Sequence, residues 1–413
     1  MDRDTGCTCY GSNVVLPPPP LEPLDAILPP EPLLLMGAGP VPIPHAVARA
    51  NGVVINHLGA TMERVVENLK GMARYAFQTK ATKIMGVAGP ASAAMEMAVT
   101  NLLWPGRKCL CLKTGTFSGR LGEMAAGVGA DVTVLEPETG RPVTAEMVRK
   151  ALAASRYDVV TLVQGETSCG VLNADLPEIA RLAREHGALT VVDAVVTLST
   201  MPLQMDDWSL DAVVTGGQKG LSSIPGVSLI AFSDRAWAVV EKRPVPAVHW
   251  CFDAVRAQRF WGAHAYHYTA PVPGVLALYE ALRLVCDEGL EARHARHRVS
   301  SLSLQTGLAA MGLELFIPRE HRLNSVIAVC VPKGVDANQV LAFMSRKFHV
   351  EISGSFGLDI VRIGQMGEQC RSHNLLKVLY AAGMSFRHFG VALDVSKGLA
   401  ELERTLTREQ EFE

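Results

Sequence analysis

Short apolar runs, rich in valine, isoleucine and leucine, recur along the chain, and each stops on small or polar residues. The clearest are Thr82-Lys-Ile-Met-Gly-Val87, Lys108-Cys-Leu-Cys-Leu112, Tyr157-Asp-Val-Val-Thr-Leu-Val-Gln164, Leu189-Thr-Val-Val-Asp-Ala-Val-Val196 and Asp211-Ala-Val-Val-Thr-Gly216. Runs of this length without alternation read as strands buried on both faces. Between them the spacing changes. Residues 60 to 78 place Met62, Val65, Val66, Leu69 and Met72 on one stripe, and a second helix starts near Ser92 and runs to Leu103. Strand and helix in alternation predict an α/β fold with a large, mostly parallel sheet. From about residue 285 the pattern repeats on a smaller scale, with a strand over Val326–Val331 and a helix over Ala337–Lys347. The expected division is therefore a large domain over 34–284 and a small C-terminal α/β domain over 285–413.

Residues 1–33 stand apart. Pro17-Pro-Pro-Pro20 and Pro29-Pro30 favour extended polyproline conformation, so this stretch reads as an N-terminal arm. It opens with Asp2 and Asp4 rather than with a basic region before an apolar run, which is unlike a signal peptide. Cys7-Thr-Cys9 has no second pair to complete a metal site and reads as two free thiols.

Composition narrows the class of partner. With 39 basic and 41 acidic residues and a net charge of −2, the chain has no electrostatic footprint for nucleic acid or an anionic membrane. No uninterrupted apolar segment reaches spanning length, so no membrane partner is expected. Nine cysteines, scattered and without a C-x-x-C pair, point to reduced thiols in the cytoplasm rather than to a disulfide framework, and no metal site is expected. Cys109 and Cys111 share a strand face and read as core. His264 and His267 lack a carboxylate or third ligand nearby and read as surface or core residues.

Chemistry concentrates where the apolar runs end, and in an α/β sheet that end is where ligands bind. Lys219 follows the small residues Gly216 and Gly217. Asp193 closes the run before it, and Gly165-Glu166-Thr167 closes another. Ala88-Gly-Pro-Ala-Ser92 joins a strand to a helix start, the geometry that cradles phosphate, although Ser92 reads equally well as a helix cap. Phe117 emerges from a glycine-flanked loop and can stack on a planar ring. Gly39 lies in Ala38-Gly-Pro-Val41, where glycine lets backbone approach a ligand. Arg362, in Asp359-Ile-Val-Arg-Ile-Gly364, is flanked by apolar strand residues, and a planar guanidinium in that setting suits a carboxylate. The basic run Arg293-His-Ala-Arg-His-Arg298 reads as a solvated helix face.

A strand ending Asp193-Ala-Val, followed by Thr215-Gly-Gly-Gln-Lys-Gly220, Tyr266-His-Tyr-Thr269 and Arg362-Ile-Gly364, resembles the class V aminotransferases of pyridoxal-phosphate fold type I. Within that family the alanine–glyoxylate, serine–glyoxylate and pyridoxamine–pyruvate enzymes are the most similar. The resemblance covers the chain from about Leu34 to the last helix and implies a pyridoxal 5′-phosphate enzyme that moves an amino group to a small 2-oxo acid. It implies that Lys219 holds the cofactor and carries the proton, that Asp193 partners the ring nitrogen, and that Phe117 stacks on the ring. Thr167 and Val195 would sit near the ring, with Ala91, Ser92 and Gln218 at the phosphate. Arg362 and Gly39 would face the substrate. Tyr266 and Thr269 would reach a neighbour's cofactor across the interface of a homodimer with shared active sites. Two other readings stay open: a lyase or desulfurase of the same fold, and a non-catalytic binding protein on that scaffold.

Overall fold

The structure, a computed structural model, describes residues 18–410. The Cys7-Thr-Cys9 reading lies outside the described residues. Two compact units divide the chain, one ending at Leu33 and one beginning at Leu34. Of the first, the described part holds a single short helix, Leu24–Ile27, with no buried residue.

From Leu34 onward the organising element is a seven-stranded sheet. In chain order its strands are β1 (Lys83–Ala88), β2 (Lys108–Leu112), β3 (Asp131–Leu135), β4 (Val159–Val163), β5 (Leu189–Asp193), β6 (Ala212–Gly216) and β7 (Val227–Phe232). Across the sheet they run β1-β7-β6-β5-β4-β2-β3. All neighbours are parallel except β7, which runs antiparallel to both β1 and β6. Every residue of β4, β5, β6 and β7 is buried, which explains why they read as unbroken apolar runs. At the edge, β3 has no fully buried residue, only exposed and half-buried ones. Helices Ala60–Phe77, Ala91–Leu102, Thr116–Gly127 and Leu176–Glu185 pack on this sheet, with Met62, Val66 and Leu69 of the predicted stripe fully buried. Cys109 and Cys111 are core residues.

This strand order has one consequence for chemistry. Because β1, β2, β4, β5 and β6 all point the same way, the loops that leave their carboxyl ends gather along one edge. Those loops carry Ala91, Phe117, Thr167, Val195 and Lys219.

The smaller C-terminal α/β subdomain is built on β8 (Val326–Cys330) and β9 (Ile360–Gly364), an antiparallel pair that sets Ala328 opposite Arg362. Its core includes Met36, Leu304, Leu308, Met344, Leu379, Phe386 and Leu402. Met36 belongs to it because Leu34–Leu35 pairs in parallel with Val350–Glu351. Helices Leu290–Met311 and Val395–Gln410 cross backbone to backbone. A Cβ on Gly307 would sit 3.0 Å from the Gly398 carbonyl oxygen, and one on Gly398 2.9 Å from that of Gly307.

The basic run 293–298 departs from its expected solvated face. Arg293 is only 4% exposed and His297 is fully buried. Arg293 donates through Nη1 to Glu288 (2.6 Å), through Nη2 to the Gly220 carbonyl (2.7 Å) and through Nε to Ser199 Oγ (3.2 Å). Arg296 donates to Glu288 (2.6 Å) and to the Gly367 carbonyl (2.8 Å). The Gly367 amide donates to His297 Nε2 at 2.9 Å, so Nδ1 is the protonated nitrogen and donates to the Arg293 carbonyl. Burial, then the charges of Arg293 and Arg296, hold His297 well below the usual imidazole range. Charge composition says how basic a run is; it does not reveal a carboxylate one turn earlier or carbonyls from distant loops. We expect Arg293→Ala to remove about 3 kcal/mol of unfolding free energy, the scale of a broken buried pair. Urea denaturation reads this directly, and a loss below about 1 kcal/mol would mark the pair as a surface one.

Candidate active site

Lys219 stands where β6 gives way to its loop, and its Nζ donates to the Ala38 carbonyl. The Ala38–Val41 segment lies against it, since the Val41 amide donates to the Gln218 carbonyl at 3.2 Å. Gly39 has φ +99°, and a Cβ there would strike the Lys219 side chain, so only glycine fits. Ser353 Oγ in turn accepts from the Ala38 amide at 3.0 Å, fastening the segment to the small subdomain. Burial first and the charge of Arg362 second lower the Lys219 amine, Asp193 opposes both, and the net value is about 8. The amine is thus half-deprotonated within reach of neutral pH.

Asp193 closes β5 at 7% exposure, and its Oδ1 accepts from the Val195 amide at 2.7 Å. Burial raises its carboxyl, the Val195 amide lowers it and Glu166 raises it, and the net value is about 7. Both central groups are therefore displaced toward their neutral forms.

Glu166, named among the strand-end residues but given no role from sequence, is the most constrained of the set. It is completely buried, and its two oxygens accept from the amides of Phe117 (3.2 Å), Ser118 (2.9 Å) and Ser168 (3.1 Å) and from the hydroxyls of Ser118 (2.8 Å) and Ser168 (2.6 Å). Its carboxylate sits at the amino end of helix Thr116–Gly127, where it meets unpaired amides and the positive end of the helix dipole. This anchors the turn that carries the half-buried Phe117. A glutamate at the end of an apolar run was the signal; the helix amides it serves lie 48 residues earlier and no local pattern connects them.

Arg362, on β9, is 6% exposed. Its Nη1 donates to the Thr167 carbonyl at 2.8 Å and its Nε to the Gly354 carbonyl at 2.7 Å. The guanidinium is paired with no carboxylate among the described residues. Burial pulls it below its ordinary value and the nearby charge of Glu166 counters that.

At the start of helix Ala91–Leu102, Pro90 is the cap residue and has no side chain to give. The Ala93 amide turns back to the Pro90 carbonyl at 2.8 Å. The amides of Ala91 and Ser92 bond nothing among the described residues. Ser92 falls one residue inside the helix and caps nothing, so the capping reading is corrected: proline took the boundary position and moved the serine inward. Close by, Gln218 is 9% exposed and its Oε1 is buried without a partner, next to Gly216 and Ala91.

A model of the family described as aminotransferase class-V matches residues 45–387. The chain belongs to the class-V aminotransferase family. It is 34% identical to an alanine–glyoxylate aminotransferase of Drosophila melanogaster, over 81% of this chain and 87% of that protein. A solved alanine–glyoxylate aminotransferase from Nostoc sp. superposes with a TM-score of 0.85 at 33% identity, covering 90% of this chain and 98% of that one. A pyridoxamine–pyruvate aminotransferase from Mesorhizobium loti gives 0.88 at 26% identity, covering 92% and 98%.

This class-V chain is accordingly an aminotransferase, and membership implies pyridoxal 5′-phosphate. The residues present fit that group. Two unbonded amides at a helix start suit a phosphate, and the amide of Gln218 can turn either its oxygen or its NH2 to a ligand. Tyr266 and Thr269 do not join the cluster: both are exposed, and Tyr266 packs edge-on to His57 at 5.8 Å between centroids. His267 is buried with Nε2 3.2 Å from the Trp250 carbonyl, and His264 Nε2 lies 3.6 Å from Glu67. Among the described residues no group of His, Cys, Asp and Glu could hold a metal ion, and no helix is long and apolar enough to cross a membrane.

The lowered amine generates a pH prediction. Covalent capture of pyridoxal 5′-phosphate by the cofactor-free protein, followed by absorbance, should rise with pH through a midpoint near 8, where Lys219 loses its proton. A midpoint above about 10, the range of an ordinary lysine, would contradict the burial argument.

Proposed function

We propose that this aminotransferase moves an amino group to glyoxylate or pyruvate from an amino acid or similar amine, with alanine, serine and pyridoxamine as candidate donors. The observation that carries this reading is Arg362. A buried guanidinium whose bonds go to backbone carbonyls, with no carboxylate partner, is costly until an anion completes it, and a 2-oxo acid brings one carboxylate. That glyoxylate and pyruvate stand in the names of similar proteins supports the choice of acceptor.

When bound, pyridoxal 5′-phosphate supplies an aldehyde carbon that takes up the amino group and a ring that draws electrons from the substrate carbon. Lys219 Nζ would hold that group covalently and, when free, would serve as the base that carries a proton to and from the substrate carbon. An amine near 8 suits both directions of that transfer. Asp193 would partner the ring nitrogen, whose positive charge would draw its carboxyl back into the ionised form. Phe117 would stack on the ring, with Thr167 and Val195 beside it, and Ala91, Ser92 and Gln218 would hold the phosphate. Arg362 fixes the substrate carboxylate, and Gly39 leaves room for Lys219 and the substrate to pass.

We further propose a homodimer in which Tyr266 and Thr269 complete the neighbour's phosphate site; the exposure of both supports this. The seven described cysteines are all free, which supports the cytoplasm as its compartment. A desulfurase of the same fold is disfavoured by the same cysteines. Cys330 lies on β8, and burial pushes the Cys370 thiol up to about 11, which leaves too little thiolate to attack.

Lys219→Ala should abolish turnover. Arg362→Lys keeps the charge and loses the fork, so the half-reaction with glyoxylate or pyruvate should weaken by about 2–4 kcal/mol while cofactor binding is unchanged. Measured separately, the donor half-reaction fails as well if the donor is an amino acid and survives if it is pyridoxamine. An unimpaired oxo-acid half-reaction overturns the carboxylate role. The shared site is tested by mixing inactive Lys219→Ala and Tyr266→Ala proteins: hybrid dimers should regain part of the activity, and none after verified subunit exchange would count against it.

A further inference from the structure

Phe356 is a large apolar side chain left 52% exposed, and no core contact accounts for it. Its ring stands 5.1 Å from the Arg362 guanidinium carbon and 5.7 Å from the Phe117 ring at an interplanar angle of 90°. Phe117 carries Arg120 on its ring at 4.6 Å. The two aromatics thus meet edge to face between the loop after β2 and the loop before β9.

That second loop is closed on Arg362 itself. Ser353 and Arg362 exchange main-chain bonds, the Ser353 amide to the Arg362 carbonyl (3.0 Å) and the Arg362 amide to the Ser353 carbonyl (2.7 Å). Gly354 accepts from the guanidinium, as described above. Ser355 Oγ donates to the Leu358 carbonyl at 2.6 Å and accepts from the Leu358 amide at 2.8 Å, which holds the tip. Ring and guanidinium therefore belong to one small cycle, and the position of Phe356 is set relative to the group that grips the carboxylate.

We propose that Phe356 is a specificity-determining residue of the acceptor site, a ring wall that admits 2-oxo acids with a hydrogen or methyl beside the carbonyl and turns away branched or aromatic ones. The inference rests on the proposed role of Arg362. A cation held against a ring face keeps the in-plane N–H groups not donated to the Gly354 and Thr167 carbonyls for a carboxylate. The carbon next to that carboxylate then lies under the Phe356–Phe117 pair, and any longer side chain must displace an aromatic ring. Exclusion by such a wall is worth about ten- to two-hundredfold per added carbon.

The experiment uses the full-length, cofactor-loaded enzyme with glyoxylate, pyruvate, 4-methyl-2-oxopentanoate and phenylpyruvate as acceptors, in the unaltered protein, Phe356→Ala and Phe356→Tyr. Thermal unfolding of each protein controls for folding. In Phe356→Ala, kcat/KM for the two bulky acids should rise at least about tenfold relative to pyruvate, while the KM for pyruvate increases with kcat nearly constant. Phe356→Tyr keeps the ring and should keep the original discrimination. An unchanged ratio in Phe356→Ala overturns the wall while leaving the proposed function intact, as does relaxed discrimination in Phe356→Tyr. Failure of the unaltered enzyme with both glyoxylate and pyruvate is a different outcome, which overturns the acceptor reading and the wall with it.

Discussion

Four ionisable side chains lie out of water along one edge of a sheet, and the rest of the site is arranged around that cost. Asp193, Glu166 and Arg362 are each 7% exposed or less, and Lys219 is close enough to feel two of them. Burying charge is tolerable only when it is neutralised, paired or hydrogen-bonded. The four groups use three different solutions. Glu166 is saturated by amides and hydroxyls at a helix start. Asp193 and Lys219 shift toward their neutral forms. Arg362 leans on two backbone carbonyls. Only the last two solutions leave capacity for a ligand, so Glu166 reads as support and the other three as the groups open to one.

How much of this is legible in sequence follows from how local each feature is. The buried strands are legible because burial on both faces leaves no room for polar residues, and the reactive groups are legible because they interrupt those runs at their ends. Ser92 misleads because proline can stand at a helix boundary as well as serine, and one residue of shift changes a cap into a first-turn residue. The run 293–298 misleads more deeply. Its partners are Glu288, the Gly220 carbonyl and the Gly367 amide and carbonyl, and the two glycines lie about seventy positions away in opposite directions. Glu166 was visible as an anomaly, whereas its helix-anchoring role depends on β2 and β4 being neighbours in the sheet.

The segment after Leu34 shows a further limit. Its Ala38 carbonyl serves a lysine 181 residues later and its Ala38 amide a serine 315 residues later. A chain entering the fold there is held at once by the large sheet's reactive loop and by the small subdomain's short strand. Helix Leu290–Met311 makes a second such tie, with Arg293 on the loop after Lys219 and Arg296 and His297 on the turn after β9. Two independent straps thus fix Lys219 relative to Arg362, the distance that any substrate spanning both must match.

The same electrostatics govern what an empty site does to the fold. A carboxyl raised to about 7 opposes folding as pH climbs from its ordinary value of 3.8 toward 7, and that penalty persists above it. A lysine lowered to about 8 opposes folding as pH falls from 10.5 toward 8, and that penalty persists below. Between about 7 and 8 the two overlap, so the unliganded protein carries its largest internal opposition near neutral pH. On the proposed roles, a ligand with a cationic ring nitrogen would relieve Asp193, and a covalent bond at Nζ would remove the free ammonium of Lys219. On that proposal, binding would stabilise most near neutral pH, because the fold's opposition there comes from the same two buried groups.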